Sequence, residues 1–290
     1  MDTGDLMNVL VLGASGMLGN AVFRHFSADP GARTFGTVRQ ASALQHFPAQ
    51  LRGQLICGID VLDHDGLVRA FGEAKPDVVI NCVGLIKQLA HVNDPLEALP
   101  INALLPHRVA RLCEVAGARM IHVSTDCVFS GDKGNYVETD VPDATDLYGR
   151  SKLLGEVDYP HAVTLRTSII GREFGRASAL VDWFLSQSGQ VKGFRKAVFS
   201  GVPTVELARI MKDFVLPHPE LHGLYHVAAQ PIAKFDLLAL LAKTYGKPID
   251  IVPDDSLIID RSLNPARFHQ ATGYVAPTWP ALIETMHRFN

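Results

Sequence analysis

Short apolar runs alternate with stretches of helical periodicity through the first half of the chain. This alternation predicts a parallel sheet with helices on both faces. Val9-Leu10-Val11-Leu12 and Val78-Val79-Ile80 are continuously apolar, as expected of strands buried on both faces. Strands are expected over residues 8–12, 33–38, 54–57, 77–82, 119–124 and 162–166, with helices over 17–27, 63–74, 95–116 and 148–157. Past Gly171 the alternation breaks up. Helical patterns at 178–188, 204–215, 234–245 and 279–289 are separated by Pro and Gly, and Leu224-Tyr225-His226-Val227 reads as a return to the sheet. The expected fold class is α/β, with a doubly wound parallel sheet over residues 8–170 that is rejoined near 203–230. A smaller mixed α/β lobe takes residues 171–202 and 231–290.

Composition narrows the class without naming a function. Of 290 residues, 47% are hydrophobic and 20% charged, which describes a globular chain able to bury a large core. The net charge of −3 and the absence of a Lys/Arg run give no footprint for nucleic acid or a lipid surface. The first five residues are polar and acidic, unlike a signal peptide, and are not expected to join the fold. No apolar run reaches the ~18 residues that a membrane helix needs. Cys57, Cys82, Cys113 and Cys127 are widely spaced, and the His residues form no HExxH. We therefore expect reduced thiols, a cytoplasmic protein and no metal site.

The first strand runs into Gly13-Ala14-Ser15-Gly16-Met17-Leu18-Gly19 and then into a helical pattern. Glycine allows the tight turn and lets the backbone approach a pyrophosphate, which the helix N-terminus attracts. The GxxGxxG spacing after the first strand of a Rossmann-like unit points to a dinucleotide held by Gly13, Ser15, Gly16, Met17 and Leu18. Arg39 follows the second strand, and no Asp or Glu occurs between Pro30 and Ile59. An Arg there meets a 2′-phosphate, which favours NADPH while leaving NADH open; Arg39 could also be a solvated loop residue. Asp60, with Val61 beside it, could bond the adenine amino group or cap the following helix. Cys82, Val83 and Gly84 end the fourth strand and could wall the cofactor or form an ordinary turn.

Tyr148 and Lys152 stand four residues apart, which places them on one helix face. An ammonium one turn from a phenol favours the phenolate. Thr125, at the end of the fifth strand, would bring a hydroxyl to the pair where open α/β sheets bind ligands.

Taken in order, GxxGxxG, Asn81-Cys82-Val83-Gly84, Ser124-Thr125-Asp126-Cys127-Val128-Phe129-Ser130-Gly131, Tyr148-x-x-x-Lys152 and Leu165-Arg166-Thr167-Ser168 resemble the extended short-chain dehydrogenase/reductase superfamily. The branch most similar is that of the dTDP-4-dehydrorhamnose reductases. Ser200-Gly201-Val202-Pro203-Thr204 and Gly223-Leu224-Tyr225-His226-Val227 extend the likeness into the second lobe. The resemblance implies that NADPH delivers hydride to C4 of a nucleotide-linked 4-keto-6-deoxy sugar. Tyr148 would donate the proton, Lys152 would hold the nicotinamide ribose and lower the Tyr148 pKa, and Thr125 would orient the ketone. Thr167 and Ser168 join the implied cofactor contacts.

Position 127 separates the relatives. Sugar-nucleotide 4,6-dehydratases carry Thr-Asp-Glu here, and Cys127 removes that acid/base residue. The rhamnose reductases usually carry Tyr. GDP-fucose synthases carry a Cys that works with a His in C3/C5 epimerisation; Glu173 stands where that His would be. Cys127 is thus either a small buried residue or an epimerase acid/base. The regulatory subunit of methionine adenosyltransferase resembles the same branch, so a non-catalytic cofactor-binding role stays open.

For the substrate, the resemblance points to Lys87, Thr125, Asp126, Cys127 and Arg261. In the second lobe, Arg172, Arg176, Lys192, Arg195 and Lys196 could meet a diphosphate or form a solvated basic face. Trp183, Phe194 and Phe199 could stack a base or pack in the core. The helix over 95–116 often pairs between subunits in this superfamily, which makes a homodimer one expectation; its apolar residues could instead all face the sheet.

Overall fold

The computed structural model describes residues 6–86, 90–173 and 179–289. One parallel sheet holds β1 (Met7–Leu12), β2 (Ala32–Val38), β3 (Leu55–Cys57), β4 (Val78–Asn81), β5 (Arg119–Thr125), β6 (Ala162–Thr167) and the returning strand Gly223–His226. Its spatial order is Gly223–His226, β6, β5, β4, β1, β2, β3. The order therefore reverses between β1 and β4, which opens a crevice at the carboxyl ends of the strands.

The continuous apolar runs serve two cores at once. Val9 and Val11 point to one face, where Leu18, Val22, Phe23 and Phe26 of α1 (Met17–Ser27) pack with the helix Thr204–Ile210 and the C-terminal helix Trp279–Phe289. Leu10 and Leu12 point to the other, against Leu67, Ala70 and Phe71 of α2 (His64–Ala74) and Val109, Ala110 and Cys113 of Leu105–Ala116. Val9, Leu10, Val11 and Leu12 are fully buried, and each contributes roughly 1.5–3 kcal/mol, an upper estimate.

The helix expected over 95–116 is one helical run in three parts: Pro95–Ala98, a π-helical segment Leu99–Leu104, and Leu105–Ala116. Pro100 and Pro106 interrupt the regular amide ladder, since proline brings no N–H. The helix carrying Tyr148 spans Leu147–Leu154, with the Asp146 side chain accepting from the Gly149 amide and Gly155 as its C-cap. It ends earlier than expected at Val157.

The second lobe contains strands that periodicity did not reveal, because each is only two to five residues long. Ala197–Phe199 lies between Ile232–Ala233, antiparallel to it, and Ile259–Asp260, parallel to it. Gln190–Phe194 pairs with Asp250–Asp254. The helix Ala266–Thr272 also went unforeseen. Among the described residues, no helix is long and apolar enough to cross a membrane, and no cluster of His, Cys, Asp or Glu is arranged to hold a metal ion.

Candidate active site

The glycine turn has the shape that its spacing implies. Gly13 sits at φ +79°, and a methyl there would meet Val83 Cγ2 at 2.8 Å. At Gly19 a methyl would collide with the Gly13 carbonyl oxygen, so this residue lets α1 press onto the turn. The N-terminus of α1 has no side-chain cap and no acidic residue in its first turn. Its free amides and positive dipole end thus face the crevice with no side-chain cap among the described residues. The residues present fit a dinucleotide pyrophosphate.

Asn81 ends β4 and holds the next wall. Its Oδ1 accepts from the Val83 amide at 3.1 Å, and its Nδ2 faces His122 Nδ1 at 3.2 Å. A methyl on Gly84 would lie 3.8 Å from Lys152 Nζ. The Cys82-Val83-Gly84 segment is therefore fixed between the glycine turn and Lys152.

Thr125 closes β5. Its hydroxyl accepts from the Cys127 amide at 3.1 Å and donates to Asp126 Oδ1 at 3.2 Å. Lys152 is buried and donates to the Val123 carbonyl at 2.8 Å. Burial lowers its pKa to about 8, while the Glu156 carboxylate works to keep it charged. Tyr148 behaves differently from the expectation. Burial pushes its phenol well above the ordinary value, the Cys127 and Asp126 charges add to the rise, and only the Thr125 hydrogen bond opposes them. Desolvation of the phenolate decides the balance, so the side chain stands protonated at neutral pH. Asp126 is also raised, by burial first, against the pull of Arg261.

These groups line one cavity of about 740 Å3. It runs from Ser15, Gly16, Met17 and Leu18, past Cys82, Val83 and Gly84, to Thr125, Asp126, Cys127, Tyr148 and Lys152. Thr167 and Ser168 also line it, as do Glu173 and Arg261. Arg39, Asp60 and Val61 are outside its lining. Arg39 is exposed beside Gln40, which does line the cavity. Asp60 accepts from the Leu62 amide at 3.0 Å, and the α2 cap is Asp63, whose side chain accepts from Asp65 and Gly66.

The second-lobe cations turn elsewhere. Arg172 pairs with Asp182, Lys192 with Asp254, and Arg195 and Lys196 with Asp255; none of the four lines the cavity. Lys87 and Arg176 lie outside the described residues. Trp183 is exposed and Phe194 half-buried, and neither reaches the cavity, whereas Phe199 lines it while packing on Trp279 with ring centroids 5.6 Å apart. Sequence reasoning missed Ser42, Gln45 and His46 on the segment after β2, whose place could have been read from the end of that strand. It also missed Lys234 and Ile259, for which no sequence signal existed.

A sequence profile of the family described as "RmlD substrate binding domain" matches residues 7–254. The probable low-salt glycan biosynthesis reductase Agl14 of Haloferax volcanii is 27% identical over 269 residues, covering 89% of this chain and 84% of that protein. Methionine adenosyltransferase 2 subunit beta of Danio rerio is 28% identical over 256 residues, covering 83% and 74%. Among solved structures, dTDP-4-dehydrorhamnose reductase of Bacillus anthracis in complex with NADP superposes with a TM-score of 0.80 at 19% identity, covering 98% of this chain and 100% of that one. This last likeness is one of fold.

Proposed function

The chain belongs to the RmlD substrate-binding domain family, and on that footing we propose that it reduces the C4 ketone of a nucleotide-linked 4-keto-6-deoxy sugar, with NADPH as the preferred cofactor. The observation that carries this reading is the convergence of Thr125, Tyr148 and Lys152 in the same cavity as the glycine turn. Bound NADPH supplies the hydride. Gly13, Ser15, Gly16, Met17 and Leu18 would cradle the pyrophosphate, and Cys82, Val83, Gly84, Thr167 and Ser168 would wall the nicotinamide half. Arg39, exposed at the end of β2 with no carboxylate in the segment that follows, supports the 2′-phosphate.

A ketone that gains hydride builds negative charge on oxygen, and a positioned O–H stabilises it and then gives up its proton. The Tyr148 hydroxyl, kept protonated by burial, is that acid. The Thr125 hydroxyl is held at the strand end to orient the ketone, and the Lys152 ammonium supplies positive charge beside the phenol as it loses its proton.

NADPH oxidation against enzymatically generated dTDP-, UDP- and GDP-4-keto-6-deoxy sugars tests the reading. Turnover on one of them, abolished by Tyr148→Phe, is the expected result. Silence across the panel with tight NADPH binding favours a non-catalytic cofactor-binding role, in keeping with the likeness to methionine adenosyltransferase 2 subunit beta of Danio rerio. Cys127 and Glu173 line the same cavity, which supports a second reading with C3/C5 epimerisation before reduction. Turnover in deuterated water decides it: deuterium at C3 or C5 supports epimerisation, and its absence sinks the idea.

A further inference from the structure

The cavity's charged lining on the second-lobe side differs from the basic cluster that the sequence suggested. Lys234 and Arg261 line the cavity, whereas Arg172, Lys192, Arg195 and Lys196 each sit against a carboxylate outside it. Neither Lys234 nor Arg261 forms an ion pair with a carboxylate among the described residues. Arg261 is held by donating Nε to the Phe129 carbonyl at 2.8 Å, and its Nη1 reaches Cys127 Sγ at 3.9 Å. That anchoring aims the guanidinium at the active centre and leaves Nη2 for a ligand.

Their placement follows from the three-stranded sheet of the second lobe. Ala233 and Asp260 both pair with Val198, from opposite sides of the strand Ala197–Phe199. Lys234 and Arg261 are the next residues after them, so one cation leaves the sheet on each side of that central strand. Strands two apart stand about 10 Å from each other, a gap that two long side chains can close on an anionic group between them. Ala197, Val198 and Phe199 also line the cavity. Both cations act electrostatically on Asp126, next to Thr125. An anion between them therefore lies near the reacting ketone.

We propose that Lys234 and Arg261 form the diphosphate subsite of this cavity and grip the substrate's nucleoside diphosphate from the two sides of Ala197–Phe199. This deepens the sugar-nucleotide reading and rests on it. A nucleoside diphosphate carries its charge on two adjacent phosphates, which suits two separate cations, one of them a planar fork. Asp126, in the same wall, is occupied by the Thr125 hydroxyl and kept towards its neutral form by burial. It does not form an ion pair with either cation.

Titration calorimetry on the intact, NADP+-saturated protein tests the proposal with dTDP, UDP and GDP and their monophosphates. The wild type should bind one diphosphate more tightly than its monophosphate. Lys234→Met and Arg261→Met should each weaken diphosphate binding by about tenfold to a hundredfold, with little change for the monophosphate and none for NADP+. Arg195→Ala, whose side chain pairs with Asp255 outside the cavity, should change nothing. Because Arg261 also holds the Phe129 carbonyl, Lys234→Met is the cleaner variant. Equal diphosphate affinity in wild type and Lys234→Met overturns the subsite while leaving the reductase reading intact. Failure of the wild type to bind any of the three diphosphates removes the sugar-nucleotide reading itself.

Discussion

At the scale of single residues, chemistry at this site is set by what burial does to charge. Tyr148 and Lys152 move in opposite directions, the phenol towards its protonated form and the ammonium towards neutrality. Both shifts follow from the same desolvation, which penalises whichever form is charged. The phenol therefore starts as a donor, as ketone reduction needs. Tyr148→Phe should lower kcat by about 10²- to 10⁴-fold while NADPH affinity, followed by fluorescence titration, is kept. Lys152 carries charge below its pKa of about 8 and loses it above. The reduction rate should therefore hold below pH 8 and fall as pH rises through it. Glu156→Gln removes the carboxylate that keeps Lys152 charged, and the alkaline limb of the profile should then move to lower pH; an unmoved limb would mean that Glu156 has no influence on the lysine.

At the scale of elements, the helix carrying Tyr148 and Lys152 is tied to its neighbours by buried polar side chains. Asn102, on the π-helical segment, accepts from the Leu85 amide at 2.9 Å through Oδ1 and donates from Nδ2 to Ser151 Oγ at 3.1 Å. Ser151 in turn donates to the Tyr148 carbonyl. Asn102→Ala leaves a buried amide without its partner and should cost about 1–3 kcal/mol in urea unfolding. Catalysis should fall further than that loss alone explains, because the helix is freed beside the nicotinamide wall. A second tie joins β5 and β6. Glu156 accepts from Ser124 Oγ at 2.7 Å and from Arg166 Nε at 2.9 Å, and Arg166 Nη1 meets His226 Nε2 at 2.9 Å. His226 Nδ1 faces the Tyr136 carbonyl at 3.0 Å. The returning strand is thereby locked to the strand that ends in Thr125.

At the scale of the whole molecule, the same lock makes stability depend on pH. Burial, then the Arg166 charge, lowers the His226 pKa from 6.5 to about 3. The folded state keeps this imidazole neutral, while the unfolded chain takes up a proton as pH falls through 6.5. Its contribution is therefore complete above pH 6.5 and is lost as pH falls towards 3, by at most about 1.4 kcal/mol per pH unit. His122 acts in the same direction, and Asp126, whose pKa is raised, acts against it. Thermal melts at pH 7 and pH 5.5 should show a drop for the wild type. The drop should be smaller for His226→Gln, which can still accept from Arg166 and donate to Tyr136. An equal drop in both would place the acid sensitivity elsewhere.

The alternation of apolar runs and helical periods determined the doubly wound sheet. Each run is long enough to carry its own period, and each side chain from Val9 to Leu12 has a core to enter. The glycine spacing and the Tyr148–Lys152 pair were legible for a related reason: their geometry is local, within one turn or one helix face. Tertiary structure alone decided which distant side chains share a cavity. Arg195 and Lys196 looked like diphosphate ligands in the chain, yet Asp255, some sixty residues later, neutralises them. Lys234 carried no motif and became a cavity residue only when two-residue strands set it and Arg261 on the two sides of Ala197–Phe199. The protonation of Tyr148 was also out of reach of the sequence. An ammonium one turn away can be read from spacing, but desolvation depends on everything packed around the phenol.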